Sequence, residues 1–165
     1  MRKLLVIIPL VALLLALAAC GQVPNFAQGE HSPAPAFAVE DLQGNQVVFE
    51  PGRPLVLTFW ASSCPSCTRM MPDWQTVFNE LDATDTVRMM SINVNDTRER
   101  AMQVLDRAGH TFPVYFDHLN ETALAFRITH IPATFFINGN GDIVHTHIGT
   151  LNATMLRLYI DDLRD

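Results

Sequence analysis

The chain has 165 residues, of which 48% are hydrophobic and 17% charged, and it carries a formal charge of −6. This length fits one domain, and the composition excludes disordered and collagen-like chains. Three cysteines are too few for a disulfide-dense secreted scaffold, and an acidic chain with no basic stripe is excluded as a nucleic-acid binder.

The chain opens with Met1-Arg2-Lys3, followed by an apolar run over residues 4–19 that only Pro9 interrupts. Leu17-Ala18-Ala19 then sets small residues directly before Cys20. A charged start, an apolar core and a small-residue cleavage site describe a secretory signal. The run is shorter than the roughly 17–25 residues of a spanning helix. The Leu-Ala-Ala-Cys ending resembles a bacterial lipobox. That resemblance implies a signal peptide over residues 1–19 and lipid attachment at Cys20; an uncleaved amino-terminal anchor is the alternative. Either places the domain at a membrane and outside the cytoplasm. Cleavage removes Arg2 and Lys3, so 11 basic residues become 9 against 17 acidic ones, a charge of −8. Lys3 is the only lysine, so charge alone does not hold the mature chain to an acidic lipid surface.

Residues 20–35 are punctuated by Gly and Pro without apolar periodicity and read as a flexible, lipid-anchored tether to a domain over residues 36–165. A coil of this length spans about 20 Å on average and about 50 Å when extended.

Within the domain, residues 46–49 form a short predicted strand after a turn at Gly44. The continuous apolar run Leu-Val-Leu-Thr-Phe-Trp at 55–60 predicts a buried central strand. Residues 65–81 carry Met71, Trp74, Phe78 and Leu81 at helical spacing, with a kink expected at Pro72. Residues 87–94 predict a second buried strand, and 97–108 an amphipathic helix that stops at Gly109. A short strand at 113–116 and a short helix at 121–126 follow. Strands at 133–137 and 143–148 flank a tight turn at Gly139-Asn140-Gly141. The last helix, 152–163, is capped by Asn152. This order predicts an α/β domain with parallel strands joined by crossover helices and an antiparallel edge hairpin.

The chemistry concentrates at Cys64-Pro65-Ser66-Cys67, directly after the buried strand and at the start of a helix. Cysteines three apart share one helix face, so a disulfide can close between them. Unpaired backbone N–H groups and the helix dipole favour a thiolate at the first cysteine, which lowers its pKa and makes it the nucleophile. The second cysteine is placed to attack a mixed disulfide and release the product. Pro65 suits the first turn, where its missing N–H has no partner. Half a zinc site, with His145 and His147 as distant candidates, an inert structural disulfide and a redox-dead remnant are the alternatives at this stage.

The run Phe59-Trp60-Ala61-Ser62-Ser63-Cys64-Pro65-Ser66-Cys67, with Pro72 in the same helix, resembles a thioredoxin-fold active site. Ile131-Pro132-Ala133-Thr134-Phe135-Phe136-Ile137 resembles that family's cis-proline segment, and Gly149 its late glycine. Pro35-Ala36-Phe37 with Asp41-Leu42-Gln43-Gly44 resembles the amino-terminal extension of the membrane-tethered TlpA/ResA-like branch. The resemblance implies a thioredoxin fold: a central mixed β-sheet flanked by helices, with an amino-terminal β extension and a central insert at 97–116. It implies a thiol-disulfide oxidoreductase outside the cytoplasm whose only redox group is the Cys64–Cys67 disulfide, with no further cofactor and no metal. It assigns Cys64 as nucleophile, Cys67 as resolving thiol, and Trp60, Pro65, Ser66, Ile131 and a cis Pro132 as substrate-binding residues. The branch usually works reductively, keeping apocytochrome c or copper-site thiols reduced with electrons from a membrane thiol carrier. Partners are then protein thiols and disulfides, and the protein is expected to be a monomer.

Three positions depart from the family pattern. Thr58 and Met70 stand where family members carry acids near the second cysteine, and Ser63 stands where a second tryptophan is common. Water, Glu40 or Asp73 remain as proton acceptors for Cys67. Met70-Met71 and Met89-Met90 read as core, and His130 as a surface residue near Pro132. A Cu(I)-binding thiol chaperone and a peroxiredoxin-like peroxidase are the competing functions.

Overall fold

The computed structural model describes residues 31–82 and 86–163. The expected signal peptide, the expected lipid site at Cys20 and most of the expected tether lie outside the described residues.

The strands are β1 (Ser32–Pro33), β2 (Ala38–Glu40), β3 (Gln46–Val48), β4 (Leu55–Trp60), β5 (Arg88–Val94), β6 (Val114–Asp117), β7 (Ala133–Ile137) and β8 (Asp142–Ile148). The helices are α1 (Pro65–Asp82), α2 (Arg98–Ala108), α3 (Glu121–Ala125) and α4 (Ala153–Asp161). One sheet runs β1-β8-β7-β4-β5-β6-β2-β3. β4, β5 and β6 are parallel neighbours, β7 and β8 follow β4 antiparallel, and β1, β2 and β3 pair antiparallel at the two edges.

All six residues of β4 are buried because both faces of the sheet are covered. Alternate side chains divide between two cores. Val56, Trp60, Met89 and Phe136 face α1, α2 and α4, meeting Met71, Trp74, Leu105 and Leu156. Leu57, Phe59, Ile92 and Phe135 face the other way, toward Phe37, Phe49, Ala123 and Phe126. Phe37 stacks on Phe49 at 5.0 Å and meets Phe126 edge-on at 5.5 Å, which pins the amino-terminal extension to this face. Met70, Met71, Met89 and Met90 are all core residues.

α1 runs as one helix through Pro72. α2 starts at Thr97, whose hydroxyl accepts the Arg100 N–H at 3.3 Å, and ends at a left-handed Gly109. Asn152 caps α4, accepting the Met155 N–H at 2.9 Å.

Two elements differ from the sequence reading. Ser32 and Pro33, read there as tether, pair with Ile143 and Asp142, and Ala34 N–H donates to Gly141 O at 2.8 Å. The tether therefore stops short of residue 35, and β1 covers what is otherwise the open edge of β8. β2 was not anticipated. It pairs with β3 across a turn in which Asp41 Oδ1 accepts the Gln43 and Asn45 N–H groups at 2.9 and 2.8 Å. The side chain of Asn45, with these backbone donors, holds the Asp41 carboxyl below its ordinary pKa.

Candidate active site

β4 delivers the chain to the carboxyl end of the sheet, where Cys64 N–H donates to Ala61 O at 3.1 Å and closes a turn into α1. Cys64 and Cys67 form a disulfide with Cα atoms 5.3 Å apart. Cys67 is 0% exposed, whereas Cys64 is only partly buried, so Cys64 is the sulfur that a partner can reach. Its Sγ accepts the Cys67 backbone N–H and the Ser66 hydroxyl, each at 3.2 Å. Both donors, together with the amino terminus of α1, stabilise negative charge on this sulfur when the pair is reduced.

The Ile131–Pro132 peptide is cis. Cys64 Sγ lies 3.8 Å from the Ile131 carbonyl oxygen, and Pro132 O accepts the Gly149 N–H at 2.8 Å. Cys64, Cys67, Ser66, Ile131 and Pro132 are thus gathered at one end of the sheet. Pro65 is exposed beside them, while Pro132 is buried. Trp60 departs from its expected role: at 2% exposure it supports the disulfide from below and offers no surface to a substrate.

The two acids considered as proton acceptors for Cys67 have partners elsewhere. Glu40 binds Arg98 and His118 at 3.4 and 3.6 Å, and Asp73 accepts the Ala153 N–H at 3.1 Å. Thr58 instead pairs its hydroxyl with that of Thr134 at 3.0 Å. Met70 Sδ accepts the Leu151 N–H at 3.3 Å. His130 is exposed and bonds Thr129 at 3.1 Å. His145 bonds Asp162 at 3.0 Å, and no cluster of three metal-binding groups occurs among the described residues.

Sequence reasoning missed Asp96. Its Oδ2 accepts the Ser62 N–H at 2.7 Å and the Asn93 amide at 3.3 Å, while Oδ1 accepts the Thr97 N–H at 2.9 Å. Burial pushes this carboxyl up, but the bonds from Ser62, Asn93 and Thr97 outweigh it and hold the pKa below the ordinary aspartate value. The available signal was an acid at the carboxyl end of a buried parallel strand, where sites collect in α/β sheets.

The Redoxin family model matches residues 29–160. The chain belongs to the Redoxin family. ResA, a thiol-disulfide oxidoreductase of Halalkalibacterium halodurans, is 29% identical over 76% of this chain and 72% of its own length. The thiol:disulfide interchange protein DsbE of Yersinia pestis is 33% identical over 90% of this chain and 85% of its own length. Among solved structures, StoA of Bacillus subtilis superposes with a TM-score of 0.67 at 25% identity, over 76% of this chain and 96% of StoA. This Redoxin-family chain is a thiol-disulfide oxidoreductase of the thioredoxin fold, and the two cysteines that the sequence pattern singled out are joined as a disulfide.

Proposed function

We propose that the protein works outside the cytoplasm as a reductant of protein disulfides, held to a membrane through lipid on Cys20. Its substrates are disulfides formed by the thiols of apocytochrome c or of copper sites, which it keeps reduced, and a membrane thiol carrier supplies its electrons. The observation that carries this reading is the inequality of the two sulfurs. Cys64 is reachable and surrounded by donors, while Cys67 is sealed beneath it. A substrate disulfide is attacked by Cys64 and released by Cys67. Similarity to ResA and DsbE supports the class of substrate.

The reduction potential of the pair, followed by Trp60 fluorescence in a glutathione or dithiothreitol series, tests the direction. A value at or below about −220 mV supports a reductase, and one above roughly −150 mV makes the protein a disulfide donor and removes the reductive reading. Cys67→Ser is expected to trap Cys64-linked protein substrates, and Cys64→Ser to abolish disulfide reduction.

A further inference from the structure

Next to the disulfide lies an open groove of about 310 Å³. Its apolar lining comes from Val94 at the end of β5, from Ala123 and Leu124 of α3, and from Ile128 and Ile131 in the segment leading to β7. Ile131 belongs to two places. It lines the groove, and its carbonyl oxygen lies 3.8 Å from Cys64 Sγ. The groove is therefore continuous with the point where a substrate sulfur meets Cys64.

The walls are held from behind. Ile128 and Ile131 pack on the core that contains Phe59 and Phe126. Ala123 N–H donates to Asp117 Oδ2 at 2.8 Å, and the Thr122 hydroxyl donates to Ala38 O at 3.2 Å. These bonds fix α3 with Thr122 and Ala123 buried and Leu124 exposed. Asn120 Nδ2 donates to Asn95 Oδ1 at 2.8 Å, which ties the start of α3 to the end of β5, and both asparagines line the groove. Among the described residues, the non-glycine positions with positive φ are Asn95, Asn120 and Arg127, the last directly before Ile128. Such backbone is uncommon outside glycine and collects at functional sites.

The lining contains no Asp, Glu, Lys or Arg side chain, so it suits an uncharged occupant. Its volume is at the lower end of the roughly 300–1,000 Å³ of small-molecule sites, enough for a bulky side chain and its backbone. Leu119 and Leu124 are the most exposed large hydrophobic residues described, at 76% and 74%. A single exposed leucine is ordinary. A leucine that walls a groove reaching the reactive sulfur, with a second one five residues before it, marks a surface that a partner covers.

We propose that this groove receives an apolar side chain of the substrate polypeptide, borne two residues from the cysteine under attack, and that Leu124 is a specificity-determining residue for it. The proposal rests on the reading of protein thiols and disulfides as substrates. In an extended segment, side chains two apart share one face and lie about 7 Å apart along the chain. With the substrate sulfur on Cys64, the second-neighbour side chain passes Ile131 and enters the groove. The substrate class is an extended polypeptide with leucine, methionine or phenylalanine at that distance from its cysteine.

The test uses the reduced full-length chain carrying Cys20→Ser and short peptides with one cysteine, each joined through a disulfide to thionitrobenzoate. The Cys64 thiolate attacks the peptide sulfur. The Cys64–peptide bond forms, and coloured thionitrobenzoate leaves with the electron pair of the broken bond. Cys67 then displaces the peptide thiolate and closes the Cys64–Cys67 bond. The cysteine pair loses two electrons and two protons, and the mixed disulfide gains them as two thiols, the protons passing through solvent. Three peptides differ only in carrying Leu two residues before the cysteine, Leu two residues after it, or Ser at both places. The better Leu peptide is expected to release colour about tenfold faster or more than the Ser peptide. Leu124→Ser, a change at an exposed position, is expected to bring that ratio below about threefold, and Leu124→Met to keep it. A ratio below about threefold in the parent protein, or the same ratio in Leu124→Ser, overturns the proposal. So does a concentration-dependent dimer that Leu124→Ser abolishes, which gives the groove to a second copy of the chain. Reduction and oxidation pass through the same Cys64–peptide intermediate. Failure of the reductive reading is therefore seen in the reduction potential and leaves the peptide ratio as it was.

Discussion

Ser62 donates its backbone N–H to Asp96 Oδ2 at 2.7 Å, tying the loop before the disulfide to the end of the neighbouring strand. The same carboxylate holds Thr97, where α2 begins, so one side chain sets the spacing between the catalytic loop and the inserted helix. Asp96→Ala leaves both backbone donors without this acceptor. It is expected to lower stability by about 1.5–3 kcal/mol, the range for hydrogen bonds to a charged group. Chemical denaturation of the oxidised protein measures this, and an unchanged midpoint contradicts it.

The depressed pKa of Asp96 has a definite sign in acid. A carboxyl lowered in the folded state contributes stability that is fully present above its unfolded pKa, near the model value of 3.8. That contribution is lost as pH falls through the folded value. The protein is therefore expected to lose stability below about pH 4, and Asp96→Asn to lose less over the same interval. Denaturation midpoints for the two proteins across an acid series give the comparison, and parallel curves count against the assignment.

Ser66 Oγ lies 3.2 Å from Cys64 Sγ. In the reduced protein this hydroxyl donates to the thiolate, so Ser66→Ala is expected to raise the Cys64 pKa. A net bond of about 1 kcal/mol corresponds to roughly a fivefold smaller thiolate population near neutrality. Ultraviolet thiolate absorbance against pH reads the change directly; a lower pKa in the variant is the contrary result.

Gly141 has φ of +90°, and a Cβ there meets Pro51 Cγ at 3.0 Å. Gly141→Ala therefore combines left-handed strain with a close approach to a rigid ring. A cost of about 1–2 kcal/mol or more is expected, with no direct effect on the disulfide at the far end of the sheet. Thermal unfolding together with the reduction potential separates the two effects: the first falls and the second stays.

The central strands, the long helices and the redox pair were legible because each leaves a local signature. Residues 55–60 are apolar but for Thr58, α1 repeats at three and four, and two cysteines share one turn of helix. β1 and β2 were not legible, since strands of two and three residues are too short to show a period. Asp96 was hidden for a different reason. Its importance lies in a contact with Ser62, 34 residues away, which only the parallel pairing of β4 with β5 creates. Trp60 was placed in the right neighbourhood but on the wrong side of it, because adjacency in sequence does not say which face of the sheet a side chain occupies.

β1 joins the sheet beside Asp142 and Ile143, at the hairpin pole, whereas the disulfide sits at the other end of β4. Force applied to the chain from its amino-terminal side is therefore borne first by the two-residue β1–β8 clip, and next by the stacked rings of Phe37 and Phe49. Both must yield before strain reaches the turn at Ala61 and Cys64. The molecule can be tugged, tilted or swung by its leading end while the spacing around its sulfurs stays the same.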